Sequence, residues 1–376
     1  MRRIASHYAL INGVLERGVV VEVNDLGTIT AISQPANMDS MAGVEFYPGI
    51  LIPGMINAHC HLELSYLRGA IAEHTGFAGF AREIGRVRGN YTENERLHAA
   101  SVADSAMWQE GVEVVIDIAN DDLTMPIKER SKIDYYTLFE AFGLTTKSPN
   151  TQESLAAKYK NAGVTPHSTY SLQEAPFRQI AQSGALPLSI HFLESEAETA
   201  LYNNEGSLWE WYSKMGWECD FLHHKSPARR IIECVPAERR TLVVHNCEAT
   251  PNDVKLLNTH FREPATWVLC PESNRYISDI TPPYTMLREM GAQVAIGTDS
   301  LASARHLNMV ENMRMLERTP LAEVLSYATI NGAKALGIDD KKGSIAIGKQ
   351  PGLVVISGVD LREMRLTKES ISQRII

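Results

Sequence analysis

The feature that most constrains the fold of this chain is a regular alternation between short apolar runs and longer stretches of helical character. Each run ends in a turn or a polar cluster, which is typical of a buried strand in a parallel sheet. Eight such βα units spread over about 250 residues have the size of one (β/α)₈ barrel. We therefore predict an α/β protein with a TIM barrel as its central domain. The eight runs are 52–58, 112–116, 135–139, 164–167, 186–191, 241–245, 266–270 and 293–298.

Two local signals refine this pattern. The run 164–167 is the weakest of the eight, because Pro166 has no backbone N–H to donate to a neighbouring strand. The helix between the first two runs has a clear beginning, since Thr92 and Glu95 have the spacing of a capping box. Gly111 is expected to end that helix.

Both ends of the chain have the character of short strands and turns rather than of helices. Residues 19–23 and 28–32 form β-rich runs around a turn, and 353–356 form another such run near the C-terminus. We predict that the two ends pair in one small β-sandwich domain beside the barrel. The predicted limits are 1–50 and 341–376 for the β-sandwich domain and 51–340 for the barrel.

The composition argues against several classes of protein. The chain of 376 residues carries 36 Lys and Arg against 45 Asp and Glu, a net charge of −9, and it has no basic run longer than a pair. Nucleic acid is therefore not an expected partner, since binding to phosphates needs clustered basic residues. No apolar stretch has the length of a signal-peptide core or a membrane span. The five cysteines are scattered without CxxC spacing, which indicates reduced thiols in a cytoplasmic protein.

Polar residues follow directly after most of the apolar runs. In a barrel of parallel strands, the C-terminal strand ends converge on one mouth, where catalytic groups lie. Residues that are far apart in the sequence are therefore expected to become neighbours there. These residues are His59 and His61 at the first run, His167 at the fourth, His191 at the fifth, His245 at the sixth and Asp299 at the eighth.

The spacing of His59 and His61 indicates a metal ion. Residues i and i+2 of a strand project to the same side, and neutral imidazole is a good ligand for zinc and similar divalent metals. His191 would add a third nitrogen and Asp299 an oxygen, which leaves one position for water, as in catalytic sites. Alternatively, the histidines are ordinary residues of a barrel mouth, and Asp299 caps the following helix.

Two further residues are candidates for proton transfer. Glu194 lies three residues after His191, where a carboxylate could take a proton from bound water and deliver it to a substrate nitrogen. It could instead be a solvated acid that opens the next helix, since Glu196 and Glu198 follow closely. His245 follows a strongly apolar run and is equally compatible with an ordinary buried histidine of the core.

Beyond these single residues, six motifs occur in a specific order along the chain. They are PGMINAHCHLELS at 53–65, HFLE at 191–194, VH at 244–245, CPESN at 270–274, GTDS at 297–300 and GSIAIGKQPGL at 343–353. Together they resemble the amidohydrolase superfamily, and in particular its branch of S-adenosylhomocysteine deaminases, aminodeoxyfutalosine deaminases and triazine chlorohydrolases. The resemblance spans nearly the whole chain and implies a metal-dependent hydrolase.

The resemblance also implies a role for each candidate residue. His245 and Asp299 would act on the hydrolytic water, and Glu194 would be the proton shuttle. A single metal ion is implied, because His167 stands where the binuclear branches carry a carboxylated lysine. The ligands of this ion, zinc or alternatively iron(II), would be His59, His61, His191 and Asp299.

The substrate implied by the resemblance is an aminated N-heterocycle, and the expected reaction releases ammonia. Segments 62–69 and 298–303 are most similar to aminodeoxyfutalosine-type deaminases, whose substrates carry a 6-aminopurine. The chain departs from that pattern at 304–306, which leaves the exact substrate open. Arginines near the mouth could bind a substrate carboxylate bidentately or be solvated loop residues. The expected substrate-binding residues are His167, Arg68, Asn274 and Arg305.

Two alternatives are open on the sequence alone. The same scaffold could dechlorinate a triazine or hydrolyse a cyclic amide, because one barrel hosts many reactions. A metal-free binding homologue is the alternative from another class of protein, although such a protein has no need of aligned polar residues at five strand ends. The outer helices of the barrel also leave room for a homodimer.

Overall fold

The computed structural model describes residues 1–35 and 42–376. The expected architecture is present: the two chain ends build a β domain, and parallel strands between them build a TIM barrel. In chain order, the strands are β1 (Arg2–Ile11), β2 (Val14–Arg17), β3 (Val20–Val23), β4 (Ile29–Ser33), β5 (Val44–Pro53), β6 (Met55–Cys60), β7 (Val112–Ala119), β8 (Asp134–Ala141), β9 (Ala162–Pro166), β10 (Leu188–Phe192), β11 (Thr241–His245), β12 (Thr266–Leu269), β13 (Gln293–Ile296), β14 (Leu353–Ser357) and β15 (Ile371–Arg374).

The helices lie mainly between the barrel strands and after the last of them. Three 3-10 helices cover Leu62–Leu67, Arg88–Asn90 and Leu222–His224. The α-helices are α1 (Gly76–Val87), α2 (Glu93–Gln109), α3 (Met125–Lys128), α4 (Asn150–Ala156), α5 (Glu174–Gln182), α6 (Glu196–Tyr202), α7 (Gly206–Lys214), α8 (Pro227–Cys234), α9 (Pro251–His260), α10 (Pro271–Ser278), α11 (Tyr284–Glu289), α12 (Met309–Arg314), α13 (Leu321–Tyr327) and α14 (Ile330–Leu336).

The β domain joins the two ends of the chain in one hydrogen-bonded sheet of seven strands. Their order is β15-β14-β5-β1-β3-β4, with β2 beside β1. The ends meet in the antiparallel pair of β5 and β14, in which Ile52 lies opposite Val354. Apolar side chains such as Val21 and Ile345 pack together on this sheet. The predicted pairing of the chain ends is confirmed, and its hydrogen bonds form a single sheet where a sandwich was expected. The domain limits at 50 and 340 stay a prediction.

The barrel consists of two parallel four-stranded sheets, β6-β7-β8-β9 and β10-β11-β12-β13. Single parallel bridges join the two sheets at both seams, where Ser168 pairs with His191 and Cys60 with Asp299. Each of the eight apolar runs overlaps one of these strands, and the weakest run becomes β9, with Pro166 as its last residue. Each seam therefore places a predicted site residue beside a residue from the other half of the barrel.

Helix α2 shows how local sequence sets the limits of an element. Its capping box forms as predicted, because the Thr92 side chain accepts a hydrogen bond from the Glu95 N–H and the Glu95 carboxylate accepts one from the Thr92 N–H. Gly111 follows the helix with a φ of 95°, a conformation that glycine adopts without strain. A Cβ atom at Gly111 would come within 2.4 Å of Val354 on β14. This glycine therefore lets the barrel approach the β domain closely.

Two long excursions of the chain surround the mouth of the barrel. The first lies between β6 and β7 and includes α1, and the second lies between β10 and β11 and includes α6, α7 and α8. Both contribute side chains to the cavity that opens from the strand ends. Among the described residues, no helix is both long and apolar enough to cross a membrane.

Candidate active site

Strand ends from both halves of the barrel bring the predicted metal ligands to one point. His59 Nε2 lies 3.2 Å from His61 Nε2, and His61 Nε2 lies 3.6 Å from Asp299 Oδ1. The ring centroids of His191 and His59 are 4.9 Å apart. Ligand atoms of His59, His61 and Asp299 all lie within 4.8 Å of one another, as do those of His59, His191 and His245. This cluster can hold a metal ion.

Hydrogen bonds on the far side of the rings orient these histidines. The His191 Nδ1–H donates to the His167 carbonyl oxygen at 2.7 Å, so the Nε2 atom of the neutral ring is the one that can bind a cation. His59 Nδ1 lies 3.2 Å from Ser189 Oγ. Partners of this kind fix the tautomer and the ring orientation of metal-binding histidines. His61 Nδ1 is buried and has no hydrogen-bond partner among the residues that the structure describes.

Asp299 is held from behind by two hydroxyl groups. Its Oδ2 accepts hydrogen bonds from Ser273 Oγ at 2.5 Å and from Ser303 Oγ at 2.9 Å, while Oδ1 faces His61. The backbone of Asp299 has a φ of 59°, a left-handed conformation that costs energy in a non-glycine residue and is enriched at functional sites. The alternative role as a helix cap is wrong, because Asn308 caps the following helix, α12.

Burial sets the protonation state of the histidine rings in the cluster. It lowers the pKa of His59 and of His191 far below the ordinary range, and neighbouring histidines lower both further. Both rings are therefore neutral, which is the state that binds a cation. Neutral imidazole nitrogens with one carboxylate oxygen are a donor set that suits zinc and iron(II). The residues present thus fit the expected ion.

Glu194 reaches the cluster from the turn after β10. Leu193 has a left-handed φ of 49°, and the Glu194 N–H donates to Glu198 Oε2 at 3.3 Å. Glu194 Oε1 lies 3.8 Å from His245 Nε2, and the Glu194 side chain is only 10% exposed, so it is not a solvated acid. Burial, with the nearby carboxyl groups of Asp299 and Glu198, holds the pKa of Glu194 well above its ordinary value. The carboxyl group is therefore protonated near neutral pH and can donate a proton.

His245 stands beside Glu194 at the end of β11. Its ring centroid is 5.2 Å from that of His191, and Asn274 Nδ2 lies 3.0 Å from its Nδ1. Burial lowers the pKa of His245 to about 4, so the ring is neutral and can accept a proton. Asn274 does not line the cavity. Asn274 therefore lies behind His245, on the side away from the cavity lining. The expected contact of Asn274 with substrate stays a prediction, and the cavity lining does not support it.

A cavity of about 430 Å³ opens from the cluster. Its inner end is polar and its outer wall, which comes largely from the two excursions, is apolar and aromatic. A concave and mostly apolar cavity with a few convergent polar groups is typical of a small-molecule site. The inner lining comprises His61, Glu140, His167, His191, Glu194, His245 and Asp299. The outer lining includes Phe77, Phe80, Ile84, Phe142, Leu208, Trp211, Tyr212 and Trp217.

The two arginines expected to bind substrate lie outside this cavity. Arg68 Nη2 is 3.0 Å from His306 Nδ1, and Arg305 forms an exposed ion pair of 2.7 Å with Glu73. Neither arginine lines the cavity, whereas Arg88, just after α1, does. Both expected residues follow site motifs in the sequence, but the fold pairs their side chains with other surface groups.

His167 and Glu140 form a polar wall next to the cluster. The His167 ring stacks on the His191 ring with centroids 4.4 Å apart, and His167 lines the cavity. Glu140 is a lining residue that the sequence analysis missed. Its Oε1 accepts a hydrogen bond from Asn120 Nδ2 at 2.7 Å, and its buried Oε2 has no partner among the described residues. Its position near the end of β8 was a usable signal, since the other inner residues also follow or end strands.

Comparison with known proteins gives a consistent set of similarities. Residues 50–373 match the model of the amidohydrolase family. An adenosine deaminase of Helicobacter pylori is 27% identical over 364 residues, which cover 91% of this chain and 86% of that protein. The chain is also similar to the solved structure of H. pylori aminofutalosine deaminase in complex with methylthio-coformycin, with a TM-score of 0.82 and 23% identity over 100% of both chains.

A second similar solved structure is that of an enzyme named for a different reaction. Atrazine chlorohydrolase of Arthrobacter aurescens TC1, complexed with zinc, gives a TM-score of 0.76 at 16% identity over 97% of this chain and 90% of that one. At such identities, a solved structure establishes the fold but not the substrate. The predicted barrel with its β domain is thereby confirmed.

Proposed function

The chain belongs to the amidohydrolase family and is a hydrolase of carbon–nitrogen bonds, and from that premise we propose that it deaminates a 6-aminopurine nucleoside-type compound such as aminodeoxyfutalosine. The observation that carries this proposal is the buried Glu194 carboxyl group, 3.8 Å from His245 Nε2 at the inner end of an aromatic cavity, where burial raises its pKa. Protonation of a ring nitrogen requires an acid in such a place. Two similar proteins are named as deaminases of adenosine and of aminofutalosine, which supports this substrate class.

The proposed enzyme works with one zinc ion, or alternatively iron(II). When bound, such an ion supplies a water molecule whose pKa is lowered toward neutrality. A single ion is proposed because the fourth barrel strand leads into His167 and not into a lysine that could be carboxylated. Zinc in the similar atrazine chlorohydrolase supports the choice of metal. The proposed ligands are His59, His61, His191 and Asp299.

Three side chains divide the proton transfers. Asp299 and the neutral His245 orient the hydrolytic water and accept its proton. Glu194 donates its proton to the ring nitrogen next to the amino-bearing carbon, which makes that carbon electrophilic. The water oxygen bonds to that carbon, the proton taken from water passes to the amino group, and the carbon–nitrogen bond breaks to release ammonia. The hydroxyl proton that remains on the product then returns to Glu194. General acid–base catalysis of this kind contributes about 10²–10⁴ in rate.

The walls of the cavity match the rest of such a substrate. Trp211 and Tyr212 on α7 and Phe80 on α1 offer aromatic surfaces to a purine and to an apolar 5′ substituent. The unpartnered Oε2 of Glu140 would accept a hydrogen bond from a ribose hydroxyl. The exposed Arg88 would pair with an anionic group at the outer end of the substrate.

Ammonia release over a panel of aminated compounds tests the proposal. The panel contains adenosine, its 5′-deoxy and 5′-thio derivatives, aminodeoxyfutalosine, aminopyrimidines, pterins and triazines. We expect the highest kcat/KM for 6-aminopurine nucleosides with a large apolar 5′ substituent. Chloride from a chlorotriazine, or a ring-opened product from a cyclic amide, in the absence of ammonia would establish the rival reaction. Protein purified without chelator that holds no stoichiometric metal would favour a binding homologue.

A further inference from the structure

A second cluster of metal-binding side chains lies where α5 meets the excursion between β10 and β11. It consists of Glu174, the first residue of α5, His224, the last residue of a 3-10 helix, and Cys234, the last residue of α8. One oxygen, one nitrogen and one sulfur atom from these residues lie within 4.8 Å of one another. None of the three residues lines the cavity, and the proposed deamination does not use them.

Two of the three separations match the spacing of ligands around one metal ion. His224 Nε2 is 3.2 Å from Glu174 Oε2 and 3.6 Å from Cys234 Sγ. A tetrahedral zinc ion, with bonds of about 2.0 Å to nitrogen and oxygen and about 2.3 Å to sulfur, holds its ligand atoms about 3.3–3.6 Å apart. A proton on Nε2 can point at only one of its two neighbours, so a hydrogen bond accounts for only part of this arrangement.

The opposite sides of the same residues are already occupied by partners. His224 Nδ1 lies 2.6 Å from Glu233 Oε2, and a carboxylate commonly stands in this position behind a metal-binding imidazole. Arg178 Nε donates to Glu174 Oε1 at 2.6 Å, which leaves Oε2 as the oxygen that faces the cluster. The His224 ring is fully buried and Cys234 is 3% exposed, so water competes little for these two ligands.

We propose that Glu174 Oε2, His224 Nε2 and Cys234 Sγ bind a second divalent cation with a structural role. Zinc is the best match for a donor set of nitrogen, sulfur and carboxylate oxygen. The half-exposed His223 ring also brings its Nε2 to 3.3 Å from Glu174 Oε2.

Binding of the cation changes the protonation of the thiol but involves no oxidant or reductant. Burial raises the pKa of the Cys234 thiol to about 11, so the free site carries a neutral thiol at neutral pH. When the cation binds, the sulfur–hydrogen bond breaks, the electron pair forms the bond to the metal, and the proton goes to solvent.

The position of the site indicates how a bound cation would affect the outer wall of the cavity. α7, in the same excursion, supplies Trp211 and Tyr212 to the outer wall of the cavity. The chain returns to the barrel soon after Cys234, at β11. A cation at this site cross-links the end of the excursion to α5, and it therefore steadies the wall without touching the inner end of the cavity.

Cobalt(II) distinguishes this site from the proposed catalytic one, whose ligands are nitrogen and oxygen only. We would titrate metal-free full-length protein with Co²⁺ and record absorption spectra. The expected result is a near-ultraviolet thiolate-to-cobalt charge-transfer band that is absent in Cys234→Ser. After loading with zinc, Cys234→Ser should also hold one ion fewer per chain than the wild type. Cys219→Ser is the matched control, since Cys219 is a partly buried cysteine of the same excursion, and it should keep the band.

A second variant keeps the test decisive if Cys234→Ser does not fold. Glu174→Gln retains the thiol, so it should show the same band at a weaker apparent affinity for Co²⁺. The proposal is overturned if wild type with excess cobalt shows no band, if the band persists in Cys234→Ser, or if it disappears in Cys219→Ser. The cluster would then be an ion-pair network of His224 with its carboxylates. None of these readouts depends on turnover, so they are independent of the proposed deamination.

Discussion

The inner and outer ends of the cavity are built differently. At the inner end, His59 and Asp299 are at most 7% exposed, and each has a hydrogen-bond partner that orients it. At the outer end, Trp211 is 45% exposed and contacts the rings of Tyr212 and Trp217. Directional bonds hold the inner groups in one geometry, whereas apolar contacts tolerate changes of shape.

In the proposed mechanism, chemistry and substrate recognition are therefore separated between the two ends of the cavity. In the proposed reaction, the inner end supplies the reacting groups and the outer end supplies surfaces that can vary with the substrate. One barrel can in this way serve different substrates with the same reacting groups. Variants at the two ends should therefore differ in whether they change kcat or KM.

The largest effect is expected where the inner end supplies the proton. Glu194→Gln keeps the size of the side chain but removes the acidic proton, so kcat should fall by about 10²–10⁴. Because Glu194 is not a proposed ligand, elemental analysis should find the metal retained. Glu196→Gln, on an exposed neighbour, is the control and should keep full kcat. Unchanged kinetics in Glu194→Gln would show that the chemistry does not lie where we place it.

A smaller effect on metal affinity or activity is expected for a residue that hydrogen-bonds to a proposed metal ligand at the inner end. Ser273→Ala removes the hydrogen bond of 2.5 Å to Asp299 Oδ2, and losses of this kind typically cost about 10–100-fold in metal affinity or activity. Competition with a chelator measures the affinity, and steady-state kinetics measure the activity. Ser278→Ala on the same helix, α10, is the matched control. If both variants behave alike, orientation of Asp299 by hydroxyl groups is not needed.

A substitution at the outer end should raise KM and leave kcat nearly unchanged. Trp211→Ala removes an aromatic surface from the cavity wall, and a loss of about 1–2 kcal/mol of apolar contact raises KM about tenfold. kcat should stay within a factor of about 2, since the reacting groups are untouched. Met215→Ala, an exposed residue of the same excursion that does not line the cavity, should change neither constant. A fall in kcat at constant KM would contradict the separation of roles.

The effect furthest from the chemistry concerns Glu198, which supports the inner end of the cavity, and it appears in stability. Burial raises the pKa of Glu198 from 4.5 to about 8, so the folded protein keeps a proton that the unfolded chain loses. The free energy of unfolding therefore falls as pH rises from about 5 to about 8, by at most about 1.4 kcal/mol per pH unit, and levels off above that.

Glu198→Gln removes this titration while keeping a neutral, hydrogen-bonding side chain. Its melting temperature relative to wild type should rise between pH of about 5 and about 8 and then remain level. Thermal unfolding over this range measures the difference, with Glu196→Gln as the exposed control. A difference in melting temperature between Glu198→Gln and wild type that does not change with pH would mean that Glu198 does not hold its proton in the folded state.

Much of the fold could be predicted because its signals are local. Apolar runs that end in turns predicted the barrel strands, and the spacing of Thr92 and Glu95 predicted the beginning of α2. The candidate ligands could be predicted for a related reason. His59 and His191 lie within or next to strand ends, and parallel strands of a barrel bring those ends to one mouth.

Side-chain partners were much harder to predict than strand ends. Arg68 and Arg88 both follow the first barrel strand within the same excursion, yet only Arg88 lines the cavity. Glu140 directly follows the predicted run 135–139, so its position was a usable signal, but nothing in the sequence shows that its side chain lines the cavity. The direction of a side chain depends on packing between elements, which a one-dimensional pattern does not contain.

Local sequence is enough to predict the order of strands and helices and the residues at the barrel mouth, because periodicity and turn chemistry act over a few neighbouring positions. Tertiary structure alone decided how the two halves of the barrel close. At the seam where Cys60 pairs with Asp299, a Cβ atom on Gly297 would come within 2.8 Å of His59 atoms. Ser273 Oγ donates a hydrogen bond to Asp299 Oδ2 there. Tertiary structure also decided that Glu174, His224 and Cys234 meet. Contacts between residues distant in the chain arise only when the packed core sets their separation, which local sequence does not encode.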